Sequence, residues 1–341
     1  MRLRTCVLRI VLAISVSFAL SIRGESAEEP KFRLLGPLSV SPLEAPDSGE
    51  SEDALKRFSL TQRDPQTPPA SLGVKPLSYP EWLKRVDLGI GLGSEKPRFH
   101  IETVQPLYQS RDRTYTLFVQ PRLSSRDADL TANLGLGYRQ LFFDQQLLGG
   151  INAFYDYTDR HDHYRLGLGA EALSRYLELR ANGYFPLSGR EKISEDTTRK
   201  VYERALTGVD VEAGGPVPYL PFLKLFGGYA YYDYEHDIDS HIGKVRAEVK
   251  LARFLRLDVE AFNDNKAPWE YRVGLVLTLD LEHPWESFSK PSAEPYPYED
   301  MRHMTLHRVV REHEIKVERY AKSKPAGGTG GGITVRIRRG T

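Results

Sequence analysis

Cysteine is almost missing from this sequence, which contains one residue of this type, Cys6. Cys6 lies inside an N-terminal segment that we predict to be removed during secretion. The mature chain would then have no thiol, which excludes disulfides, thiolate metal sites and cysteine nucleophiles. It also excludes a lipid-modified N-terminal cysteine, because such a residue would have to follow the apolar core of the signal.

The sequence also lacks an excess of charge of either sign and the strong apolarity of helical membrane proteins. The net charge is +1, so nothing indicates nucleic acid or a strongly acidic partner. The mean hydropathy is −0.45. A transmembrane β-barrel is compatible with this value, because its strands alternate lipid-facing and lumen-facing residues and are polar on average.

The N-terminus is typical of a secretion signal. Positive charge from Arg2, Arg4 and Arg9 precedes an apolar core of about ten residues, too short to span a bilayer as a helix. We expect cleavage near Ala27, so that residues 1–27 are a signal peptide; an uncleaved anchor is the alternative. Residues 28–82 are rich in Pro, Ser and charge, and we expect a flexible periplasmic segment there.

Residues 83–282 show a different pattern, in which segments of about ten residues alternate apolar with polar or small residues. Side chains alternate across a strand, so each segment has one apolar and one charged face. About twelve segments are expected, starting near Val86, Pro97, Arg113, Leu130, Gln145, His163, Arg175, Val201, Tyr219, His241, Phe254 and Trp269. The sequence therefore predicts an all-β fold, a twelve-stranded antiparallel transmembrane β-barrel.

A soluble β-sandwich is the alternative, since it also alternates apolar and polar residues. Three features favour the barrel. Arg and Glu recur on the charged face of many strands, as in a wet lumen. Aromatic residues cluster near segment ends, as in an interfacial girdle, for example at Tyr155, Tyr157 and Tyr271. The secretion signal also routes the chain out of the cytoplasm.

Connection lengths predict an orientation. If the first strand runs outward, the external loops include residues 158–162, 189–200, 235–240 and 263–267, which are longer and mostly charged. The opposite turns are very tight at Ser174 and at residues 252–253, as is usual on the periplasmic side. The Pro-rich stretch 214–221 is an expected exception among the inner turns.

Residues 283–341 form a predicted post-barrel linker. Asp300 could cap a short helix over residues 300–311, with Met301, Met304 and Val309 as its apolar residues. Residues 313–319 alternate like a strand, residues 325–332 are a glycine-rich hinge, and residues 333–339 are a short basic strand-like end.

An even strand count leaves both barrel ends on the periplasmic face, so this linker either stays there or threads back through the lumen. The predicted lumen is lined by acidic residues, namely Glu171, Glu178, Asp210, Glu212, Glu248, Asp258 and Glu260. A segment carrying basic residues would suit it electrostatically, with each pair in a wet pore contributing about 0–1 kcal/mol. The candidate basic residues are Arg302, His303, Arg308 and Arg311, and an amphipathic periplasmic helix is the alternative.

A family resemblance covers residues 133–189, NLGLGYRQLFFDQQLLGGINAFYDYTDRHDHYRLGLGAEALSRYLELRANGYFPLSG. The glycine-rich NLGLG strand, the aromatic FYDY hairpin, RLGLGAE and ANGYFPLSG resemble, in order, the core of inverse autotransporter β-domains of the intimin and invasin family. A weaker likeness extends over about residues 86–319. In this family the post-barrel segment passes through the pore, so the resemblance implies a pore linker that includes Met301, Arg302, Arg308 and Arg311.

The resemblance also implies insertion into outer-membrane lipid by the barrel assembly machinery. The polar-x-Gly-x-x-apolar-x-apolar pattern of Arg272, Gly274, Leu277 and Leu279 matches the assembly signal of such last strands. The expected function is to anchor or export a C-terminal segment, and the expected partner is a surface receptor or a separate passenger protein. About twenty residues follow Arg319, too few for an immunoglobulin-like domain of about 100 residues. A porin-like channel or a structural outer-membrane protein is the alternative function.

No catalytic or cofactor motif stands out, so we expect no enzyme and no cofactor. The glycine pairs Gly135/Gly137 and Gly167/Gly169 lie within strands, where they suit close backbone approach in a curved wall rather than phosphate binding. His161 and His163 could bind a surface metal, but a spacing of two in a charged loop is a weak signal. The aromatic run 229–234 could bind carbohydrate, although a membrane-interface girdle is the commoner role of such residues.

Overall fold

The computed structural model describes residues 80–280, 288–298, 300–324 and 334–336 of the chain. The predicted signal peptide, nearly all of the predicted periplasmic segment and the whole of the glycine-rich hinge lie outside these residues. Within the described ranges, no helix is long and apolar enough to cross a membrane.

The described residues are dominated by antiparallel strands. In chain order these are β1 (Val86–Gly93), β2 (Arg98–Thr103), β3 (Gln105–Gln109), β4 (Tyr115–Arg126), β5 (Asp129–Phe142), β6 (Leu147–Thr158), β7 (His163–Ser174), β8 (Glu178–Pro186), β9 (Glu191–Glu195), β10 (Arg199–Ala205), β11 (Thr207–Val217), β12 (Leu220–Asp233), β13 (Ser240–Ala252), β14 (Leu255–Asp264), β15 (Glu270–Thr278), β16 (Val317–Ser323) and β17 (Thr334–Arg336).

The large sheet closes on itself, because β1 pairs with β15 on one side and with β2 on the other. Strands β2 and β3 both pair with β4 and are two halves of one wall strand, interrupted at Val104. In the register of these pairs, the last residue of β2, Thr103, lies opposite Pro121 of β4, which has no N–H to donate to a neighbouring strand. Counted in this way the wall has twelve strands, as predicted.

The wall buries charged side chains and exposes apolar ones, the reverse of a soluble protein. Arg139, Arg165 and Asp156 are fully buried on the inner face. Ile151 and Val211 are at least half exposed on the outer face. This distribution fits a wall between lipid and a polar lumen. It is incompatible with the β-sandwich alternative, in which the apolar faces would be packed together.

The two rims of the barrel differ. Two-residue connections join β11 to β12 and β13 to β14 at one end, here called the turn rim. The connections at the other end, the loop rim, include the β8–β11 insertion and the β12–β13 loop. The Pro-rich stretch 214–221 is no exception to the tight turns: β11 runs to Val217, β12 starts at Leu220, and Tyr219 takes a positive φ of 66° between them. Strands β1 and β15 begin and end, respectively, at the turn rim.

A second, four-stranded sheet in the order β17-β16-β10-β9 lies at the loop rim. Its β9–β10 hairpin is the insertion between wall strands β8 and β11. The sequence placed the start of the eighth wall strand near Val201, which is wrong: Val201 belongs to β10, and the wall strand starts at Thr207. Alternation could not separate the two strands, because β10 has its own partner, β16, from beyond the barrel.

Candidate functional site

The candidate site is the lumen, because the segment after the barrel runs through it from rim to rim. The segment first lies across the turn rim, where Phe288 bridges to Ala252. The Tyr219 N–H then donates to the Pro295 carbonyl over 2.9 Å. The rings of Tyr176 and Tyr296 meet edge to face with centroids 5.2 Å apart. These contacts deliver the chain to the lumen entrance.

A 3-10 turn, Met301–Leu306, opens the passage through the lumen. Asp300 caps it, as predicted, by accepting a hydrogen bond from the Arg302 N–H over 2.9 Å. Met301 and Met304 are buried, and they pack into an apolar floor formed by Leu141, Leu148 and Leu173 of the wall. The turn therefore plugs the end of the lumen next to the turn rim.

The predicted helix over residues 300–311 is wrong in its length, since the 3-10 turn ends at Leu306 and His307 has an extended backbone. The physical reason lies in the wall. The Arg139 guanidinium donates to the carbonyls of Thr305, over 3.1 Å, and of His307. Arg165 donates to the carbonyls of Glu312 and Glu314 over 2.7 and 2.9 Å. A helix over residues 300–311 would have used the Thr305 and His307 carbonyls internally, and the buried Arg139 satisfies them instead. Arg165 holds the backbone beyond the predicted helix.

Residues 300–324 of the post-barrel segment are here called the tail. Arg311 makes the most buried ionic contact between the tail and the wall. Its Nη1 and Nη2 lie 2.7 and 2.8 Å from Oδ1 and Oδ2 of Asp156, a bidentate arrangement. Asp156 also accepts from Arg165 Nε and Asn133 Nδ2, each over 2.8 Å. Every donor around this carboxylate is provided by an inward side chain of β5 or β7 or by the tail.

The other predicted pore-linker residues lie in different surroundings. Arg308 reaches across the lumen to Glu248 and Asp258, with Nη2–oxygen distances of 3.3 and 3.2 Å. Arg302 pairs with Asp300 over 3.4 Å at the entrance and is partly exposed. Met301 lies in the apolar floor. Arg308 thus faces two of the expected lumen carboxylates, Arg311 faces Asp156, which was not among them, and Arg302 pairs with a residue of its own segment.

The predicted acidic lumen is also rich in arginine. Glu171 pairs with Arg139 over 2.6 Å, and Glu212 lies 2.8 Å from Arg246. Two further lumen pairs are Glu178 with Lys224 over 2.6 Å and Glu260 with Arg272 over 3.1 Å. Sequence reasoning missed the role of the wall arginines. Their signal was visible, since Arg139 and Arg165 fall on the charged faces of their strands.

The tail leaves the lumen at the loop rim and is captured there by the β9–β10 hairpin. Strand β16 pairs with β10 over seven residues, from Arg199↔Ser323 to Ala205↔Val317. The Glu318 carboxylate accepts from the His236 N–H over 2.7 Å, which ties the tail to the β12–β13 loop as well. The loop rim therefore holds the tail through two separate connections.

His161 and His163 do not form a metal cluster. Their ring nitrogens lie 2.8 and 3.2 Å from Oε1 of Glu203, and Arg319 of the tail donates to the other oxygen. Burial raises the pKa of Glu203, but its hydrogen bonds with His163, His161 and Arg319 outweigh this effect. The pKa is therefore lowered from 4.5 to about 2. No group of three or more potential metal ligands is found in the described part of the chain.

The glycine pairs create space for large inward side chains rather than for a backbone or a phosphate. A Cβ on Gly135 or Gly137 would meet the rings of Phe154 or Phe118 at 2.3 and 2.1 Å. A Cβ on Gly167 would meet Nη2 of Arg311 at 2.2 Å. The expected close approach of a neighbouring backbone is therefore wrong, since the groups that approach are side chains, and at Gly167 the side chain belongs to the tail.

The residues of the predicted assembly signal lie along β15 and just beyond it. Arg272 points into the lumen, where it pairs with Glu95 and Glu260. Leu277 is on the outer face and is paired with Leu88 of β1 and Leu255 of β14. The Leu279 N–H donates to the Val86 carbonyl over 2.9 Å at the end of the seam.

A cavity of about 170 Å³ remains beside the tail. The tail lies against β4 to β8, whereas this cavity is lined mainly by β1, β2 and β13 to β15. Charged side chains of both signs surround it, including Arg122, Lys244, Asp258 and Glu260. The tail thus fills the lumen asymmetrically.

A closed, charge-lined twelve-stranded barrel with an apolar outer face and its own tail in the pore defines an outer-membrane-type barrel. Residues 75–241 match the family model described as inverse autotransporter, beta-domain. The match confirms the resemblance of this region to inverse autotransporter β-domains.

Two relatives agree with this match. The chain is 32% identical over 148 residues to a putative attaching and effacing protein homolog of Escherichia coli (strain K12), covering 42% of this chain and 48% of that protein. It is 34% identical over 133 residues to invasin of Yersinia enterocolitica, covering 39% of this chain and 15% of that protein. The chain thus spans about half or less of the length of these relatives.

A membrane protein solved in work on in-meso crystallization superposes with a TM-score of 0.58 at 20% identity. The match covers 69% of this chain and 99% of that one. At this level of identity the match supports the barrel fold alone.

Proposed function

We propose that this protein is an outer-membrane anchor that holds its C-terminal segment in the pore and presents the end of that segment at the cell surface. The observation that carries the proposal is the continuous path of residues 300–324 from the turn rim, through the lumen, to pairing with β10 at the loop rim. A simple channel would have no need of a tail held by buried arginines. The proposal assigns the loop rim to the outside and the turn rim to the periplasm.

Delivery to the membrane completes the proposal. Residues 1–27 act as a cleaved signal peptide, and residues 28–82 remain in the periplasm. The assembly machinery recognises the last strand through Arg272, Gly274, Leu277 and Leu279. A surface receptor or a separate passenger protein is the partner of the exposed end, in line with the adhesion-related names of the relatives.

A porin-like channel is the second candidate function, and the cavity beside the tail favours it. Its volume of about 170 Å³ and its charged lining would suit water and small ions. In this case the tail would be a constriction of the channel, and its end would have no role at the surface.

Surface labelling distinguishes the two functions. An epitope tag after Thr341 should be labelled on intact cells by an impermeant antibody. A tag at Asp112, in the β3–β4 connection at the turn rim, should be labelled only after the outer membrane is permeabilised. If both tags require permeabilisation, the export proposal fails. Deletion of residues 300–341 should raise single-channel conductance, because the wall alone then encloses an open lumen.

A further inference from the structure

One inward row of the wall alternates glycine with aromatic residues. Along the register it runs Gly135, Phe154, Gly167, Tyr184, Gly208 and Tyr232, one residue from each of β5, β6, β7, β8, β11 and β12. Two of the three glycines are covered by a wall ring. A Cβ on Gly135 would meet Phe154, and one on Gly208 would meet Tyr232, each at 2.3 Å.

Gly167 is the exception in this row. The neighbouring ring that could cover it belongs to Tyr184, which instead stacks towards Tyr232 with ring centroids 6.3 Å apart. The position over Gly167 is taken by the Arg311 guanidinium, whose Nη2 lies 2.2 Å from where a Cβ would be. The row thus leaves one gap, and the tail fills it.

The walls of this gap match a guanidinium group. The carbon at its centre lies 4.3 Å from the Phe154 ring centroid and 5.3 Å from that of Tyr184. Asp156 lies two residues beyond Phe154 on β6, and its two oxygens accept hydrogen bonds from the two terminal nitrogens of Arg311. Aromatic faces and a bidentate carboxylate favour a planar, forked cation, whereas an ammonium is a point charge.

The backbone after Arg311 is held from both sides. The Tyr184 hydroxyl accepts from the Glu312 N–H over 2.7 Å, and Arg165 donates to the Glu312 carbonyl over 2.7 Å. A slip of the tail by one residue would bring Val310 or Glu312 to Asp156. The first would leave a buried carboxylate short of a donor, and the second would bring two carboxylates together.

We infer that this gap, formed by Gly167, Phe154, Tyr184 and Asp156, is a guanidinium-binding pocket that sets the register at which the tail stops in the lumen. Arg308 lies in different surroundings, because it reaches two carboxylates and makes no cation–ring contact among the described residues. The pocket therefore selects Arg311 from the basic residues of the tail. This inference rests on the proposed function for its role in export, although the pocket itself can be tested without it.

Chemical rescue tests the pocket. The full-length Arg311→Ala variant, reconstituted in planar bilayers, should show a higher and less steady conductance than the native chain. Low-millimolar guanidinium should return it towards the native level. Urea has the shape of guanidinium without its charge, ammonium has the charge without the planar fork, and neither should rescue. Arg311→Lys should behave as Arg311→Ala does.

Two glycine substitutions, at Gly167 and at Gly227, provide a second test and its matched control. Gly167→Ala should raise conductance by displacing the end of the flexible Arg311 side chain while the wall still folds. Gly227→Ala, on the outer face with nothing within 4 Å of the added Cβ, should leave conductance unchanged. In the double variant Gly167→Ala/Arg311→Ala, guanidinium should no longer rescue.

Each outcome of these measurements either supports or overturns the guanidinium-binding pocket. If Arg311→Ala does not fold, recovery of its heat-modifiable form by guanidinium during refolding supports the pocket, and no recovery overturns it. Native conductance in Arg311→Ala, or equal rescue by ammonium, also overturns it. The tag after Thr341 separates this result from the proposed function: a surface-labelled tag with no guanidinium effect removes only the pocket, and an inaccessible tag removes the export role.

Discussion

Arg139 and Glu171 form an ion pair that spans a whole strand. They lie on β5 and β7, two strands apart, and Arg139 Nε is 2.6 Å from Glu171 Oε1. The strand between them contributes Gly150, where a Cβ would meet Glu171 Oε1 at 2.7 Å and Arg139 Cγ at 3.1 Å. The missing side chain lets the pair close above β6 and holds Arg139 towards the tail.

Removing one member of this pair should be costly. Arg139→Met leaves Glu171 buried without its partner and the tail carbonyls without their donor, so we expect a loss of roughly 3–5 kcal/mol. Unfolding in detergent or lipid measures the loss. The double variant Arg139→Met/Glu171→Gln should recover part of it, because no uncompensated charge remains. Losses that simply add would show that the two residues do not interact.

A charge on the outer face should be more disruptive than a change in the lumen. Leu257 is paired with Leu275 and Val249 on the apolar face, so Leu257→Arg should cost roughly 2–4 kcal/mol if it lies near mid-membrane. Lys244→Gln alters an inward residue 4.0 Å from Glu212 and should cost about 0–1 kcal/mol. Lipid-based unfolding assays compare the two, and a reversed order would reject the assignment of the faces.

Assembly should depend on the apolar end of the last strand. The double variant Leu277→Asp/Leu279→Asp should be missing from outer-membrane fractions and degraded in the periplasm, because both residues lie at the seam with β1. Thr278→Ser, between them, keeps a hydroxyl for Asp87 and should assemble normally. A heat-modifiable barrel in the double variant would contradict the signal assignment.

Acid should loosen the exit of the tail through Glu203. Its pKa of about 2 is below the ordinary 4.5, so its stabilising contribution is complete above about pH 4.5 and is lost as the pH falls towards 2. Hydrogen exchange of residues 317–323 should therefore increase over this window. Glu203→Gln should exchange faster at neutral pH and should show a weaker dependence on acid. Identical profiles for the two proteins would exclude this role of Glu203.

Period-two alternation was sufficient to predict the wall, because a lipid-facing and a lumen-facing side impose it on every strand. It failed at Val201, where a strand of the loop-rim sheet shows the same alternation. The helix predicted in the tail was too long for a related reason. Asp300 and the two methionines are local signals and were found, but Arg139, which holds the Thr305 and His307 carbonyls, lies more than a hundred residues away in the sequence.

The pairing of β16 with β10 has a mechanical consequence. Tension applied beyond Lys324 reaches the strand pairing and the Arg319–Glu203 contact first, and the Arg311–Asp156 contact and the methionine floor only after these. The attachments thus bear load in series along one chain, each shielding the next from the pull. A brief force applied at the loop rim therefore breaks the outer contacts of the tail before it acts on the wall.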